Sequence, residues 1–523
     1  MNGAESLLNG LVDRGVDVCF TNPGTSEMHF VAALDQVPAM RGVLCLFEGV
    51  ASGAADGYGR IARKPASTLL HLGPGQGNAL ANFHNARRAK TPIINVIGDH
   101  ATYHLQYDAP LTSDIKGVAK SFSKFVGTAT SSNQIDSMVD QAMKMATSFE
   151  KGVSTLIIPA DVSWSEVSSS DVEPLEGESW TSIGAEVETI ELGHARELLE
   201  ADAETLLLIG GDVLLSEGIK MIERIKANFS VGVLAETFPS VMDRGGDLLS
   251  IDRLAYLGEM ATAQLSHAKN IITIGAKEPA SFFAYPNSRS LLAPEGSNLF
   301  HLASPSEDPL AVLRELIDLL NLPRSSSKNR FERPSIPDGD LTATKVAQTI
   351  GALLREGTIV VDEANTSGFS LPSATKGAPV HKWLTLTGGA IGQGVPLATG
   401  AGIADMDSRV LCLEADGSSL YTFQALWTQA RENLNVTTVI FNNQSYAILE
   451  LELAKVGALE TSKSARRMLE LDQPSIDYSQ ISRAMGVDSI RVSTVEEFVK
   501  ALNHSFDSEG PFLIEALLPP GIS

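Results

Sequence analysis

Three α/β domains, each a doubly wound parallel sheet with helices on both faces, are the fold class that this 523-residue sequence predicts. Three observations predict it. Short Val/Ile/Leu-rich runs alternate with amphipathic segments along most of the chain, the pattern of strands buried on both faces and joined by helical crossovers. Two polar stretches rich in Ser, Pro and charged residues, 166–179 and 322–338, interrupt that alternation and read as linkers. They divide the chain into parts of similar size, 1–165, 180–322 and 340–523, each long enough to bury a core of its own.

The elements follow in order. In the first part, apolar runs predict strands over Val18–Phe20, Gly42–Phe47, Ser67–Leu72, Ile93–Ile97 and Ser154–Ile158. Glu48 closes the second of these and opens Gly49-Val-Ala-Ser-Gly-Ala-Ala55, a run of small residues that suits a tightly packed helix. A carboxyl group there is largely desolvated, which raises its pKa unless a donor pairs with it; a first-turn carboxylate favoured by the helix dipole is the structural alternative. Leu69-Leu-His-Leu72 runs into the glycine-rich turn Gly73-Pro-Gly75-Gln-Gly77-Asn78. Asn78 stands where a dinucleotide fingerprint has its third glycine, so a nicotinamide site is not the preferred reading. His71, at the carboxyl end of its strand, is either a satisfied core histidine or a proton shuttle. His100 and His104 are four apart without the intervening Glu of a zinc motif and read as substrate-pocket residues.

In the second part, Thr205–Ile209, Val231–Ala235 and Asn270–Ile274 read as strands, and Gly210-Gly211-Asp212 resembles a worn nucleotide-binding turn. In the third, Thr358–Val361, Val410–Leu413, Val436–Phe441 and Phe512–Glu515 carry the sheet. Asp416 and Asn443 lie 27 positions apart, each just beyond an apolar run, with Phe423–Asn433 between them as a crossover helix. A strand–helix–strand unit is parallel and right-handed, so both residues emerge at the carboxyl edge of neighbouring strands, where ligands bind. A carboxylate and an amide oxygen are hard donors suited to Mg²⁺ or Ca²⁺ beside phosphate oxygens, and the Gly417-Ser418-Ser419 turn lets backbone N–H groups approach a phosphate. Taken singly, Asp416 would be a helix N-cap and Asn443 a turn residue.

Composition narrows the function further. A formal charge of −23 argues against a nucleic-acid partner, whose phosphates need clustered cations. Cys19, Cys45 and Cys412 are isolated in apolar runs and read as buried free thiols of a reducing compartment. The N-terminus lacks a basic then apolar leader, and no apolar stretch approaches the roughly 18 residues that span a bilayer, so a soluble cytoplasmic protein without membrane contact is expected.

Together these residues resemble the thiamine diphosphate enzymes of the pyruvate oxidase, acetolactate synthase and benzoylformate decarboxylase group. The resemblance covers nearly the whole chain: Asn22-Pro23-Gly24-Thr25-Ser26-Glu27, Glu48 with Ala54-Ala55-Asp56-Gly57-Tyr58, His71 with Gly73 to Asn78, Thr387-Gly388-Gly389-Ala390-Ile391-Gly392, and the Asp416 to Asn443 unit. It implies a pyrimidine-binding first domain, a central nucleotide-like domain and a diphosphate-binding third domain, with thiamine diphosphate and Mg²⁺ as cofactors. It also implies a homodimer at least, assembled as a dimer of dimers, with the cofactor between subunits. By the same resemblance Glu48 hydrogen-bonds the aminopyrimidine and favours its imino tautomer, the Gly389 carbonyl receives the exocyclic amino group, and Ile391 props the cofactor into a bent shape. Asn22, Pro23, Gly24 and Thr25 match the pyrimidine-side motif, and Gly417 and Ser418 the diphosphate turn. Asp416, Asn443 and the backbone carbonyl of Ser445 match the metal ligands. The implied reaction is decarboxylation of a 2-oxo acid, with protonation or carboligation of the product carbanion equivalent. Departures accompany the match. Ala415-Asp416-Gly417 replaces Gly-Asp-Gly, and Pro110-Leu111-Thr112 and Tyr446 to Glu452 replace segments of acetolactate synthases. Gly275-Ala-Lys-Glu-Pro279 replaces a flavin-binding stretch, so no bound flavin is expected. Phe282 stands where benzoylformate decarboxylase has a second catalytic histidine. The competing classes are a non-catalytic relative or partner subunit that keeps the pocket as filler, and a nicotinamide or flavin oxidoreductase.

Overall fold

The computed structural model describes residues 1–168, 189–201, 203–286, 288–324, 331–456 and 463–521. Most of the first expected linker therefore lies outside the described residues, as does 325–330 of the second; residues 331–338 run without regular structure.

Three sheets form, with helices between their strands, as the alternation predicts. The first contains β1 (Val18–Thr21), β2 (Arg41–Leu44), β3 (Ala66–His71), β4 (Ile93–Asp99), β5 (Ser123–Thr128) and β6 (Val153–Pro159) in the order β2-β1-β3-β4-β6-β5, every pairing parallel. Strand β2 ends sooner than the apolar run suggests: Leu46 is exposed and Phe47 is the extended cap of the next helix.

Downstream come β7 (Thr205–Ile209), β8 (Val231–Ala235), β9 (Met242–Arg244), β10 (Asp252–Arg253), β11 (Asn270–Ile274) and β12 (Asn298–Ala303). Five of these build the second sheet, β10-β8-β7-β11-β12, again parallel. The exception is β9, which pairs antiparallel with β14 (His381–Thr385), Met242 opposite Trp383, and so becomes the edge of the third sheet. That sheet is completed by β13 (Ile359–Glu363), β15 (Val410–Ala415), β16 (Val436–Asn442), β17 (Asp488–Val492) and β18 (Phe512–Leu517), in the order β17-β18-β16-β15-β13-β14-β9.

One apolar core runs through the first and third sheets. Ala51, Ala54, Ala55 and Tyr58 of the Glu48–Ala62 helix share it with Val395, Leu397, Ala398 and Ala401 of the Gly394–Ala404 helix. Small residues set the approach of these two helices. A Cβ on Gly57 would lie 2.0 Å from the Leu397 carbonyl oxygen, and one on Gly400 would lie 1.8 Å from that of Ala54. The small-residue run after Glu48 is thus a close-packing surface. All three cysteines are buried free thiols, and burial pushes Cys19 up to about 11. Among the described residues no helix is long and apolar enough to cross a membrane.

Candidate functional site

In an open parallel sheet the ligand crevice lies at the carboxyl edge where the strand order reverses. The first sheet reverses between β1 and β3, which places Asn22, Pro23, Gly24 and His71 at that crevice with Glu48 one strand away. The third reverses between β13 and β15, placing Glu363 and Asp416 together.

Asp416 and Asn443 emerge as the spacing predicts. Strands β15 and β16 pair with Ala415 beside Phe441, and their tips are tied directly: the Gln444 N–H donates to Asp416 Oδ2 at 2.7 Å. The other carboxylate oxygen accepts the Gly417 N–H at 2.8 Å. Asn443 Oδ1 accepts the Ser445 N–H at 3.2 Å, while its amide nitrogen donates to the Gly521 carbonyl at 3.1 Å. Asp416, Ser418, Asn443 and Ser445 are all buried, and the Ser418 hydroxyl accepts from the Asn365 amide at 3.0 Å. Burial pushes the Asp416 carboxyl up to about 6 against the pull of these backbone donors. A buried carboxylate held only by neutral N–H groups is short of a counter-charge, which a divalent cation with oxygen ligands supplies. The donor set therefore fits a hard cation. Gln444 (φ 56°) and Asn365 (φ 50°) hold left-handed backbone on either side of Asp416, a conformation that costs about 1 kcal/mol at a non-glycine residue.

Glu48 is the first residue of its helix and is 8% exposed. Its Oε2 accepts from the Asn78 amide at 2.9 Å; the glycine-rich stretch expected as a turn is instead the start of the Leu72–Ala89 helix, and Asn78 is in that helix's second turn. Oε1 faces Gly75, whose missing side chain leaves that oxygen accessible: a Cβ there would sit 3.3 Å away. His71 ends β3, with Nδ1 2.8 Å from Glu27 Oε2 and 3.1 Å from the Ser26 hydroxyl. Gly24 is packed face to face with the ring, since a Cβ on it would fall 2.2 Å from ring atoms, and its N–H donates to Glu27 at 2.9 Å. Glu27 is fully buried. It holds the His71 ring through Nδ1, and among the described residues no protein partner is bonded to Nε2; the sequence alone assigns Glu27 no part. Its only signal is an acidic residue closing the Asn22–Glu27 motif. Thr25 is exposed at the start of the short turn that carries Glu27.

The segment 387–394 joins the two halves. Asn82 donates to the carbonyls of Gly49 (2.8 Å) and Gly392 (3.3 Å) at once. Asn85 clasps Ala390 with two bonds, accepting its N–H at 3.2 Å and donating to its carbonyl at 2.8 Å. The His84 ring nitrogen donates to the Gly388 carbonyl at 3.1 Å. Gln393 donates to Asp56 at 2.6 Å, inside a buried network centred on the Asp56–Arg60 ion pair. Gly389 (φ 74°) and Gly392 (φ 91°) occupy left-handed backbone that only glycine adopts freely. Among the described residues the Gly389 carbonyl has no protein donor, which leaves it open to an amino group of a ligand, and Ile391 beside it is half-buried. Phe282 covers Gly389, its ring tip 2.7 Å from where a Cβ would be, and packs against Phe238, Tyr256 and Phe283. His100 and His104 lie with ring centroids 5.3 Å apart, and the described residues hold no group of three or more metal-ligating side chains of the His, Cys, Asp and Glu type.

This geometry agrees with what the chain is similar to. Residues 1–124 match the N-terminal TPP binding domain of thiamine pyrophosphate enzymes, and 370–516 match their C-terminal TPP binding domain. A Mycobacterium tuberculosis protein provisionally named acetolactate synthase large subunit IlvX is 48% identical over 522 residues, with 99% of each chain covered. The benzoylformate decarboxylase of Pseudomonas aeruginosa is 25% identical with 96% of each covered. The solved thiamine diphosphate-dependent 4-hydroxybenzoylformate decarboxylase of Rhodococcus jostii RHA1 superposes with a TM-score of 0.83 over the full length of both chains at 22% identity, which shows the shared fold. The chain belongs to the thiamine pyrophosphate enzyme family. Within it, its type is that of acetolactate synthase and benzoylformate decarboxylase.

Proposed function

We propose that this protein uses thiamine diphosphate and Mg²⁺ to decarboxylate a 2-oxo acid, with carboligation to an aldehyde or second oxo acid as the alternative fate of the product. The observation that carries the proposal is the Glu48 carboxylate, buried, fixed through one oxygen by Asn78 and accessible through the other beside Gly75. A non-catalytic relative has no use for a desolvated carboxylate held in that way.

Thiamine diphosphate, when bound, supplies the carbon nucleophile and electron sink that the loss of carbon dioxide requires. The protein residues do the rest. Asp416, Asn443 and the Ser445 carbonyl hold the metal ion, and the Gly417-Ser418 turn offers N–H groups to the phosphates. Glu48 Oε1 would meet the pyrimidine side of the cofactor as a proton-exchanging carboxyl group, and the Gly389 carbonyl would accept a hydrogen bond from its amino group. Ile391 would serve as the apolar support against which the cofactor is positioned, and alignment of reacting groups of this kind is worth several kcal/mol. His71, steered by Glu27, donates or accepts the substrate's proton at Nε2. Phe282 brings no second titratable group, so His71 works without the relay partner of benzoylformate decarboxylase. Resemblance supports a cytoplasmic enzyme that assembles as a homodimer or a dimer of dimers.

Pure protein with thiamine diphosphate and Mg²⁺ would be incubated with a panel of 2-oxo acids, with and without acceptor aldehydes. Released aldehyde identifies a decarboxylase and a 2-hydroxy ketone a ligase. No turnover of any oxo acid, by protein that binds the cofactor, would sink the proposal in favour of a partner subunit.

A further inference from the structure

The loop that meets the cofactor is gripped from a second side, by a residue with no assigned part. Glu363 ends β13 and is 2% exposed. One carboxylate oxygen accepts the Gly392 N–H at 2.7 Å, and the other accepts the Gly394 N–H. A carboxylate bridging two buried backbone donors two residues apart fixes the peptide planes between them, and charged acceptors make the stronger kind of hydrogen bond. The bridge spans the transition from the left-handed Gly392 to the first turn of the Gly394–Ala404 helix. Tyr421 packs closely on Gly392, 2.4 Å from where a Cβ would stand, and the Gly392 carbonyl accepts from the Thr422 hydroxyl at 2.8 Å. Asn82 and Asn85 close the opposite flank. Among the described residues the Gly389 carbonyl has no protein donor, and the loop that carries it is constrained on both sides.

Glu363 sits in register with Glu414 on β15, and both crowd Gly394: a Cβ there would lie 2.1 Å from a Glu414 oxygen and 3.1 Å from a Glu363 oxygen. Of the two carboxyl groups, Glu363 is the one that accepts the loop's N–H groups, those of Gly392 and Gly394.

We propose that Glu363 is a positioning residue which, by bridging the N–H groups of Gly392 and Gly394, fixes the 388–394 loop so that the Gly389 carbonyl and Ile391 meet the cofactor's pyrimidine correctly. The inference rests on the reading above that this loop contacts thiamine diphosphate. A glutamine at 363 keeps the shape but offers one oxygen and one NH₂, so one of the two backbone donors faces another donor and is left buried without a partner.

The test compares the full-length wild type with Glu363→Gln, and with Glu363→Asp should the glutamine variant fail to fold. Deuterium exchange of peptides covering 386–397 is measured without cofactor, thiamine diphosphate affinity by titration, and kcat and KM on whichever oxo acid is turned over. The expected result is at least about tenfold faster exchange confined to that segment, about tenfold weaker cofactor affinity, a reduced kcat and an unchanged oxo acid KM. The circular dichroism of the bound pyrimidine should change as well. Wild-type exchange in the variant, or a uniform rise across β15 and β16 that marks general destabilisation, would overturn the proposal. Local loosening together with a wild type that binds no thiamine diphosphate would instead overturn the cofactor reading, and the positioning role with it.

Discussion

Arg60 offers the sharpest test of how the site is held together. Its side chain is 1% exposed, and all five guanidinium N–H groups have assignments. Nε and Nη2 clamp Asp56 at 2.8 and 2.6 Å, Nη2 also reaches the Thr387 hydroxyl at 3.0 Å, and Nη1 reaches the carbonyls of Thr385 at 2.9 Å and Ser240 at 3.3 Å. Arg60→Leu would leave Asp56, fully buried, with only the neutral donors Thr91 and Gln393. Removing one partner of a buried ion pair costs about 3–5 kcal/mol, and two stranded carbonyls push the value toward the upper end. The folded-to-unfolded ratio should fall by about a few hundredfold to several thousandfold, at tenfold per 1.4 kcal/mol. Urea unfolding followed by far-ultraviolet circular dichroism and tryptophan fluorescence would read it. Asp56→Asn in the same chain removes the stranded charge, so the double variant should be more stable than Arg60→Leu alone, with a coupling of about 2 kcal/mol or more. A loss under about 1 kcal/mol for Arg60→Leu, or simple additivity in the cycle, would refute the claim that this pair locks the 387–394 loop to the first sheet.

Other outcomes follow from the same geometry. Glu48→Gln should lower kcat by about 100-fold or more while thiamine diphosphate still binds within a few-fold, measured by steady-state kinetics beside a binding titration; unchanged turnover would remove the assigned role. The folded-state pKa of Asp416, about 6, lies above its usual value of 3.8, so the metal-free fold loses stability as pH rises through that interval, by about 2–3 kcal/mol in full. A divalent ion reverses the sign, and Mg²⁺ should therefore raise Tm more at pH 7 than at pH 5, with a chelator abolishing the difference. Gly400→Ala should destabilise by about 1–3 kcal/mol because its methyl group meets the Ala54 carbonyl, whereas Gly193→Ala, with open space around it in the Thr189–Glu200 helix, should be neutral or stabilising in the same thermal melts.

What the sequence makes legible follows from burial. Strands β15 and β16 are enclosed on both faces and read as continuous apolar runs, so their ends, and with them Asp416 and Asn443, are placed correctly. Edge strands are quieter. β5 and β17 are half open to solvent, with Ile490 exposed, and carry no run long enough to stand out. β9 is three residues long and pairs only with β14, Asp243 lying opposite Lys382, far along the chain, a pairing that no local pattern encodes. The same distinction separates the functional residues. The candidates Glu48 and His71 are visible because each stands between an apolar run and a run of small residues. Glu27 and Glu363 contact partners 44 and 29 positions away, and only the tertiary fold brings them there.

Strand β9 has a consequence for how the molecule can be divided. The third sheet recruits its margin from chain that otherwise belongs with the second, so a fragment starting at 340 would expose the naked backbone of β14 and offer it to any neighbouring chain. Lys382 would lose its tie to Asp243, which now steadies that border at 3.0 Å. Evolution could not exchange the last 184 residues as a self-sufficient cassette without also carrying Met242–Arg244 or blunting the abandoned rim.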